Sequence, residues 1–324
     1  MCTAISFQAK DHYFGRNLDL EYGYLENVTI TPRNFPFYFR QAEPQLHHYA
    51  LIGMATVVDG YPLYYEATNE KGLSMAGLNF PGNAAYLAAR QDQVNVAPFE
   101  FIPWLLGQCN TVQDVKSLLL NLNLVNIPFS DSLPLSPLHW LISDRETSIV
   151  AEPMADGLHI YDNPVGVLTN NPPFEFHLHN LGQYLNVTAA PAVSRFSSVF
   201  SMPAWSNGMG GLGLPGDYSS ASRFIKATFV KLNSMSGSSE EESVSQFFHI
   251  LDAVAMPRGS VLVGDGKPEI TRYSCCCNTD KGIYYYKTYD NSRIHGVAFN
   301  RVDLDGCVPT SYPLKTDDPI EIQN

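Results

Sequence analysis

Met1-Cys-Thr-Ala-Ile-Ser-Phe-Gln-Ala-Lys-Asp-His-Tyr-Phe-Gly-Arg-Asn-Leu-Asp-Leu-Glu21 opens the chain. Thr3 to Phe7 is a short run of β-formers, Lys10-Asp11-His12 is a polar turn, and Tyr13-Phe14 begins a second run that ends in Gly15-Arg16-Asn17-Leu18-Asp19. The pattern predicts a hairpin whose second strand brings Arg16 and Asp19 back beside residue 2. Cys2 directly follows the initiator methionine. A side chain as small as cysteine at position 2 normally lets the cell remove Met1. The expected mature N-terminus then carries a thiol and a free α-amine on one residue.

That combination has a chemical use. A thiolate is a strong nucleophile, and an α-amine, with a pKa typically about 7.7–8.0, can act as a base near neutral pH. One residue would supply both, with no separate catalytic histidine. Arg16 would favour the thiolate by its positive charge. Asp19 would accept hydrogen bonds from the α-ammonium and orient it. The bland alternative is a small residue in an N-terminal strand. The stretch Gly-Arg-Asn-x-Asp after a hairpin weighs against it.

A chain of 324 residues, 45% of them hydrophobic, can bury a large core. No apolar run approaches the roughly 20 residues that span a bilayer. No basic patch followed by a long apolar core opens the chain, so no signal peptide is expected. The formal net charge of −12 argues against nucleic acid and anionic membrane as partners. An anionic substrate must therefore meet a local cationic spot. Three of the six cysteines are adjacent (Cys275, Cys276, Cys277), which argues against a disulfide framework and fits a reducing cytoplasm.

Outward from the hairpin, short strand-like runs predict a β-meander: Glu26 to Pro32, Phe37 to Gln41, His48 to Val58, Leu63 to Ala67 and Leu73 to Gly82. Helices are predicted over Pro98 to Cys109 and, behind the cap signature Thr111-Val-Gln-Asp, over Val112 to Leu122. Asn126 to Pro137 is an apolar, Pro-rich loop and a candidate binding surface or lid. A second β block covers Leu138–Ser143, Ser148–Glu152, Leu158–Tyr161 and Val165–Asn170. Helical patterns return over residues 174–183, from Ser219, and over Glu241–Met256. Strands close the chain at Ile270–Cys276, Gly282–Tyr289, Ile294–Phe299 and Thr310–Leu314. The order predicts one α+β domain over residues 1–324, with two sheets layered between helices.

Other constellations are weak. Gly208 to Asp217 is glycine-rich but lacks the Gly-Lys-Ser/Thr ending of a phosphate loop, and a packed turn is expected instead. His177-x-His179 has no third ligand at useful spacing, so no metal is expected. There is no Gly-x-Ser-x-Gly elbow.

Met-Cys-Thr at the start, Gly15-Arg-Asn-Leu-Asp19, Asn69-Glu-Lys-Gly-Leu73, Gly77-Leu-Asn79-Phe-Pro81, Leu138-His-Trp140, Gly166-Val-Leu-Thr-Asn170, Gly213-Leu-Pro-Gly-Asp217, Ser222-Arg223-Phe224 and Gly282-Ile-Tyr-Tyr-Tyr286 together resemble the choloylglycine hydrolase family, the bile salt hydrolases and penicillin V acylases. The resemblance spans nearly the whole chain. It implies an N-terminal-nucleophile hydrolase with a four-layer αββα fold, often a homotetramer, in the cytoplasm of gut lactic-acid bacteria. It implies Cys2 as nucleophile with its own amine as base, Arg16 and Asp19 beside it, Asn79 and Asn170 at the oxyanion, and Arg223 near the thiol, with no cofactor. The implied substrate is a conjugated bile salt. Apolar residues that would suit its steroid plate are Leu18, Leu20, Tyr24, Val58, Tyr65, Phe129, Leu133 and Leu138. Penicillin V acylases often carry Tyr where this chain has Asn79, which tilts the reading towards bile salts. A penicillin V acylase, another N-acyl amine amidohydrolase, and a catalytically silent bile-acid-binding protein are the alternatives.

Overall fold

The computed structural model describes residues 1–317 and 320–324. From the N-terminus, β1 (Cys2–Gln8) and β2 (His12–Leu20) form the predicted hairpin. The meander follows as β3 (Asn27–Thr31), β4 (Leu51–Val58), β5 (Tyr61–Asn69) and β6 (Ser74–Asn79). A short parallel pair, β7 (Val94–Val96) and β8 (Leu122–Leu124), brackets helices α1 (Phe101–Leu106) and α2 (Val112–Leu119). The second β block is β9 (Leu138–Ser143), β10 (Ser148–Met154), β11 (Gly157–Asp162) and the two-residue β12 (Val167–Leu168). Helices α3 (Phe174–Asn180), α4 (Ser220–Leu232) and α5 (Glu240–Asp252) come next. A small hairpin of β13 (Leu262–Val263) and β14 (Lys267–Pro268) leads to β15 (Ile270–Asn278), β16 (Ile283–Thr288), β17 (His295–Ala298) and β18 (Thr310–Pro313).

Two large antiparallel sheets result. One has the order β12-β1-β2-β15-β16-β17, the other β11-β10-β9-β6-β5-β4-β3-β18. Helices α4 and α5 pack on the first sheet, against β1, β2, β12 and β15. Helix α1 packs on the second, against β5 and β6. The sheets face each other across a shared core, so the architecture is the four-layer αββα sandwich. A second core lies between α1, α2 and the outer face of the larger sheet. Strands β1, β2 and β15 are buried along nearly their whole length. Both of their faces are covered, which is why their sequences show little polar–apolar alternation. Gly15 lies where the backbone of β15 runs close against β2. A Cβ there would sit 2.0 Å from the Cys275 carbonyl oxygen, so only glycine fits.

Several expected boundaries shift. Residues 37–41 are not a strand; Phe37 makes only an isolated bridge to Gln45. Pro36 and Pro44 flank the segment, and its aromatics pack instead, Phe37 stacked with Phe39 and edge-on to Phe35. The helix from Val112 stops at Leu119, and Leu122 joins β8. The strand expected over Val165–Asn170 is regular only at Val167–Leu168. Asn163 takes Val165 and Gly166 into a turn, accepting from their amides, while Thr169 and Asn170 bond to Ser220. The caps at Thr111 and Ser219 form as expected, each accepting from the third residue on. Gly210 is the packed turn expected of the glycine-rich segment, since a Cβ would strike the Ala190 carbonyl.

His12 is sealed between Ser6 Oγ (2.9 Å) and Thr279 Oγ1 (2.8 Å). Burial pushes its pKa down to about 4, although Asp280 and Asp144 pull the other way. An unfolded chain takes up a proton here near pH 6.5, and the folded one only near pH 4. Acidification through that window therefore favours unfolding, by roughly 3 kcal/mol from this group once pH 4 is reached. His48 and His177 are displaced in the same direction by burial. Urea unfolding of the native chain and of His12→Gln, stepped from pH 7 to pH 4, is expected to show a shallower acid loss in the variant. Parallel curves would contradict this.

Candidate active site

The register of β1 on β2 sets the site. Cys2 lies opposite Leu18 and Ala4 opposite Arg16. Directly opposed residues share a face, so Cys2, Arg16 and Leu18 all look towards the second sheet. There Arg16 Nη1 donates to the carbonyls of Gly77 and Tyr65. The alternate residues face the helices: Asn17 Nδ2 donates to the Leu251 carbonyl of α5 (2.9 Å), and Asp19 Oδ1 accepts from Thr271 Oγ1 (2.6 Å).

Asn170 lies at the centre. It follows β12 and is buried. Its Oδ1 accepts from the Cys2 backbone nitrogen (2.9 Å) and from Arg223 Nη2 (2.7 Å). Its Nδ2 donates to the Asn79 carbonyl (2.7 Å). An arginine can only donate, so the amide orientation is forced. One Nδ2 hydrogen goes to Asn79, and the second is left for a ligand oxygen. The Asn170 main chain is held as firmly: its N–H donates to Ser220 Oγ (2.8 Å), and its carbonyl accepts from His177 Nε2 (2.8 Å). Asn79, the last residue of β6, is exposed and lies opposite Leu138.

Arg223 stands in the first turn of α4, fully buried. Nη1 donates to the Cys2 carbonyl and to Thr3 Oγ1 (2.7 Å), and Nε to the Tyr218 carbonyl (3.0 Å). Burial lowers its pKa, against Asp19 and Cys2; an arginine remains charged regardless. Burial raises the Asp19 carboxyl, opposed by Arg223, the chain's N-terminus, Thr271 and Arg16. Arg16 is raised overall, because Cys2, Tyr273 and Glu66 outweigh its desolvation. Among the described residues, Arg16 Nη2 and Asp19 Oδ2 are buried without a hydrogen-bond partner.

Met1 continues β1 past Cys2. Its carbonyl accepts from the Asp19 N–H (3.0 Å), and its ammonium donates to the Asp19 carbonyl (2.7 Å) and to the buried carboxylate of Glu269. Glu269 was not singled out from the sequence, nor were His177 as a brace for Asn170 and Glu66 beside Arg16. His177 stacks on Phe224 and spends its Nε2 on Asn170, while His179 is exposed and bonds within its own helix. Among the described residues, no group of three or more His, Cys, Asp or Glu side chains is placed to hold a metal.

The apolar candidates divide into two groups. Leu18 is buried in the same core cluster as Cys2, and Leu20 and Tyr65 pack against it. Tyr65 Oη meets Thr56 Oγ1 (2.9 Å), which also donates to the Tyr24 carbonyl (2.9 Å). Tyr24 is therefore tied to this wall. Val58 is half-buried at the end of β4, paired with Tyr61. Leu138 packs on the second core but opens β9 directly opposite Asn79. Phe129 sits among Tyr61 and Phe99, with the Arg40 guanidinium over its ring. Leu133 closes a small turn on Ser130 in the same loop.

Cys2 therefore stands one residue from the N-terminus, its main chain held by Asn170 and by the buried Arg223, on a face shared with the buried Arg16. The sequence pattern of the linear amide C–N hydrolases, choloylglycine hydrolase family, matches residues 2–312. The bile salt hydrolase/transferase of Lactiplantibacillus plantarum is 56% identical over 317 residues, covering 98% of each chain. That of Clostridium perfringens is 39% identical over 313 residues, covering 94% of each. A crystal structure of a variant conjugated bile acid hydrolase from Clostridium perfringens superposes with a TM-score of 0.91 at 37% identity, covering 100% of both chains. The penicillin V acylase of Agrobacterium tumefaciens shares the fold, with a TM-score of 0.77 at 16% identity over 98% of this chain and 92% of that one.

Proposed function

The chain belongs to the choloylglycine hydrolase family of linear amide C–N hydrolases, and from that premise we propose that it cleaves the amide joining a bile acid to glycine or taurine, with Cys2 as nucleophile. The observation that carries the reading is the convergence on Asn170. One side chain links the Cys2 nitrogen, Arg223 and Asn79.

In this reading the working enzyme has lost Met1. The freed Cys2 amine keeps Asn170 Oδ1 and gains Asp19 Oδ2, otherwise unpartnered, as a second acceptor. The thiolate, steadied by Arg16, attacks the amide carbon. Charge moves to the carbonyl oxygen, where the free Nδ2 hydrogen of Asn170 and the Asn79 position meet it; an oxyanion donor typically accounts for roughly 10²–10³ in rate. The C–N bond breaks as the Cys2 amine hands its proton to the leaving nitrogen. A thioester remains. Water, giving a proton to the same amine, attacks it and releases the free bile acid.

A second reading, transfer of the acyl group to an amine, is favoured by the names of the relatives, which are called hydrolase/transferase. It requires only that an amine replace water at the thioester. The proposal extends to one domain over the whole chain and a homotetramer in the bacterial cytoplasm. Self-association is supported by apolar side chains left exposed between residues 185 and 212, among them Leu185, Phe196, Val199 and Trp205.

The steroid would lie against Leu18, Leu20, Tyr24, Val58, Tyr65 and Leu138, with Phe129 and Leu133 on the covering loop. Burying about 300 Å² of it contributes roughly 7 kcal/mol gross, against an association cost of about 4–15 kcal/mol, so the steroid plate alone supports at best millimolar affinity and tighter binding requires polar contacts to the conjugate's charged tail. Phe129→Ala and Leu133→Ala are each expected to raise KM for glycocholate by roughly 5- to 30-fold, about 1–2 kcal/mol, with kcat little changed. Michaelis profiles check this; an unchanged KM in both variants would remove the loop from the pocket.

The reading as a whole is tested by amine release from glycocholate, taurocholate and penicillin V, measured side by side. Faster release from the bile conjugates is expected. Faster release from penicillin V would keep the chemistry and move the substrate. Binding of bile acids without release from any of the three would overturn the enzyme in favour of a binding protein.

A further inference from the structure

A buried carboxylate lies behind the site and takes no part in the mechanism above. Glu66, in the middle of β5, is 1% exposed and points across the sandwich into the smaller sheet. Tyr273 Oη donates to its Oε2 (2.8 Å) and Tyr284 Oη to its Oε1 (2.6 Å). Cys275 Sγ lies 3.6 Å from Oε1, and Arg16 Nε lies 3.8 Å from Oε2. A lone carboxylate in such a place is costly. Two hydroxyl donors and a guanidinium offset that cost and identify what the group is arranged around.

Arg16 needs a brace. Its Nη1 is spent on two carbonyls of the opposing sheet, its Nε donates to the Asn17 carbonyl (3.4 Å) with Glu66 Oε2 as its ion-pair partner at 3.8 Å, and its Nη2 is left unpaired and buried on the face shared with Cys2. The free hydrogens therefore lie on the side where a thiolate forms. We infer that Glu66, held by Tyr273 and Tyr284, is a positioning residue that fixes the Arg16 guanidinium with Nη2 directed at the Cys2 thiol. The chain of action is Tyr273 and Tyr284 to Glu66, Glu66 to Arg16, Arg16 to Cys2. The inference rests on the reading of Cys2 as nucleophile.

The ionisable groups facing Glu66 are Arg16 on β2, Tyr273 and Cys275 on β15, and Tyr284 on β16. Burial raises its carboxyl; Arg16 and the donors lower it. Glu66→Gln keeps the shape and removes the charge. Arg16 is then less neutralised and also freer to move. The first effect favours the thiolate and shifts the acid limb of the kcat/KM profile to lower pH. The second misplaces Nη2 and lowers kcat, and a misplacement of this kind costs roughly 10- to 100-fold.

The experiment measures kcat, KM and pH–rate profiles on glycocholate for the native enzyme, Glu66→Gln, Tyr284→Phe, Arg16→Lys and the Glu66→Gln/Arg16→Lys double variant. Melting curves accompany each, and Cys2→Ala is run alongside. The expected result is a fall in kcat of that size for Glu66→Gln, near-native KM, a downshifted acid limb, a smaller fall for Tyr284→Phe, and a double variant no worse than Arg16→Lys alone. A kcat and acid limb unchanged in Glu66→Gln would overturn the inference. So would losses that multiply in the double variant, or a lowered melting point with unaltered kinetics. If Glu66→Gln does not fold, Tyr284→Phe decides by the same readouts. Activity surviving in Cys2→Ala would overturn the underlying reading instead, which separates the two failures.

Discussion

Cys2→Ala is expected to lose amine release by roughly 10⁴-fold or more while the protein stays folded. The magnitude follows from covalent catalysis: when a nucleophile acting as one unit with its base is removed, only substrate binding and the oxyanion donors remain. The fold should tolerate the change. Cys2 is buried, yet the contacts that fix its position run through its main chain, to Asn170 Oδ1, Arg223 and Leu18 across the hairpin. None of them is lost with the sulfur. Cys2→Ser keeps the geometry but offers a hydroxyl that the α-amine deprotonates poorly, so severe loss is expected there too. Initial rates on glycocholate, with melting curves for all three proteins, check both. A Cys2→Ala enzyme near native rate would end the mechanism.

Asn170→Ala is expected to lower kcat by on the order of 10³-fold, the upper range for one oxyanion donor. More than the donor goes. Arg223 Nη2 and the Cys2 nitrogen lose their shared acceptor, and the Asn79 carbonyl loses its donor. Leaving the first two, which are buried, unpaired costs about 1–3 kcal/mol each, so stability falls as well. Asn170→Asp separates the two effects. A carboxylate keeps the acceptor for Arg223 and Cys2 but turns an acceptor oxygen towards the Asn79 carbonyl, so stability should return in part. It places a negative charge where the oxyanion forms, so the rate should not. Recovery of both in Asn170→Asp would mean that Asn170 only holds the structure.

How far the sequence reaches depends on the range of the interactions involved. The hairpin, the caps at Thr111 and Ser219, and the strand Leu138–Ser143 were legible because neighbours in sequence determine them. The Gly15-Arg-Asn-Leu-Asp19 stretch was legible for the same reason: pairing across one short turn returns it to residue 2. Asn79, Asn170 and Arg223 could be named only through resemblance. Nothing local to them states that a turn after β12, the end of β6 and the first turn of α4 meet at the N-terminus. The failures are instructive in the same terms. Phe37 to Gln41 has strand composition, but its aromatics found better partners in one another and in His48 than in a ladder. Glu66 left one signal, a carboxylate in mid-strand between Tyr65 and Ala67, but its hydroxyl donors lie over 200 residues further on, in β15 and β16. Glu269 precedes a strand and reads as a solvated residue; only the fold brings it to the Met1 ammonium.

The central claim is that a single residue supplies nucleophile and base, and the most direct test compares chains with and without Met1. Protein made with methionine excision inhibited, and protein made normally, would each be weighed intact by mass spectrometry and assayed on glycocholate and taurocholate. In the Met1-bearing chain the Cys2 nitrogen is an amide and cannot take a proton. The account predicts that activity follows the fraction of chains beginning at Cys2 and vanishes in the unprocessed protein. Full activity with Met1 retained would contradict it.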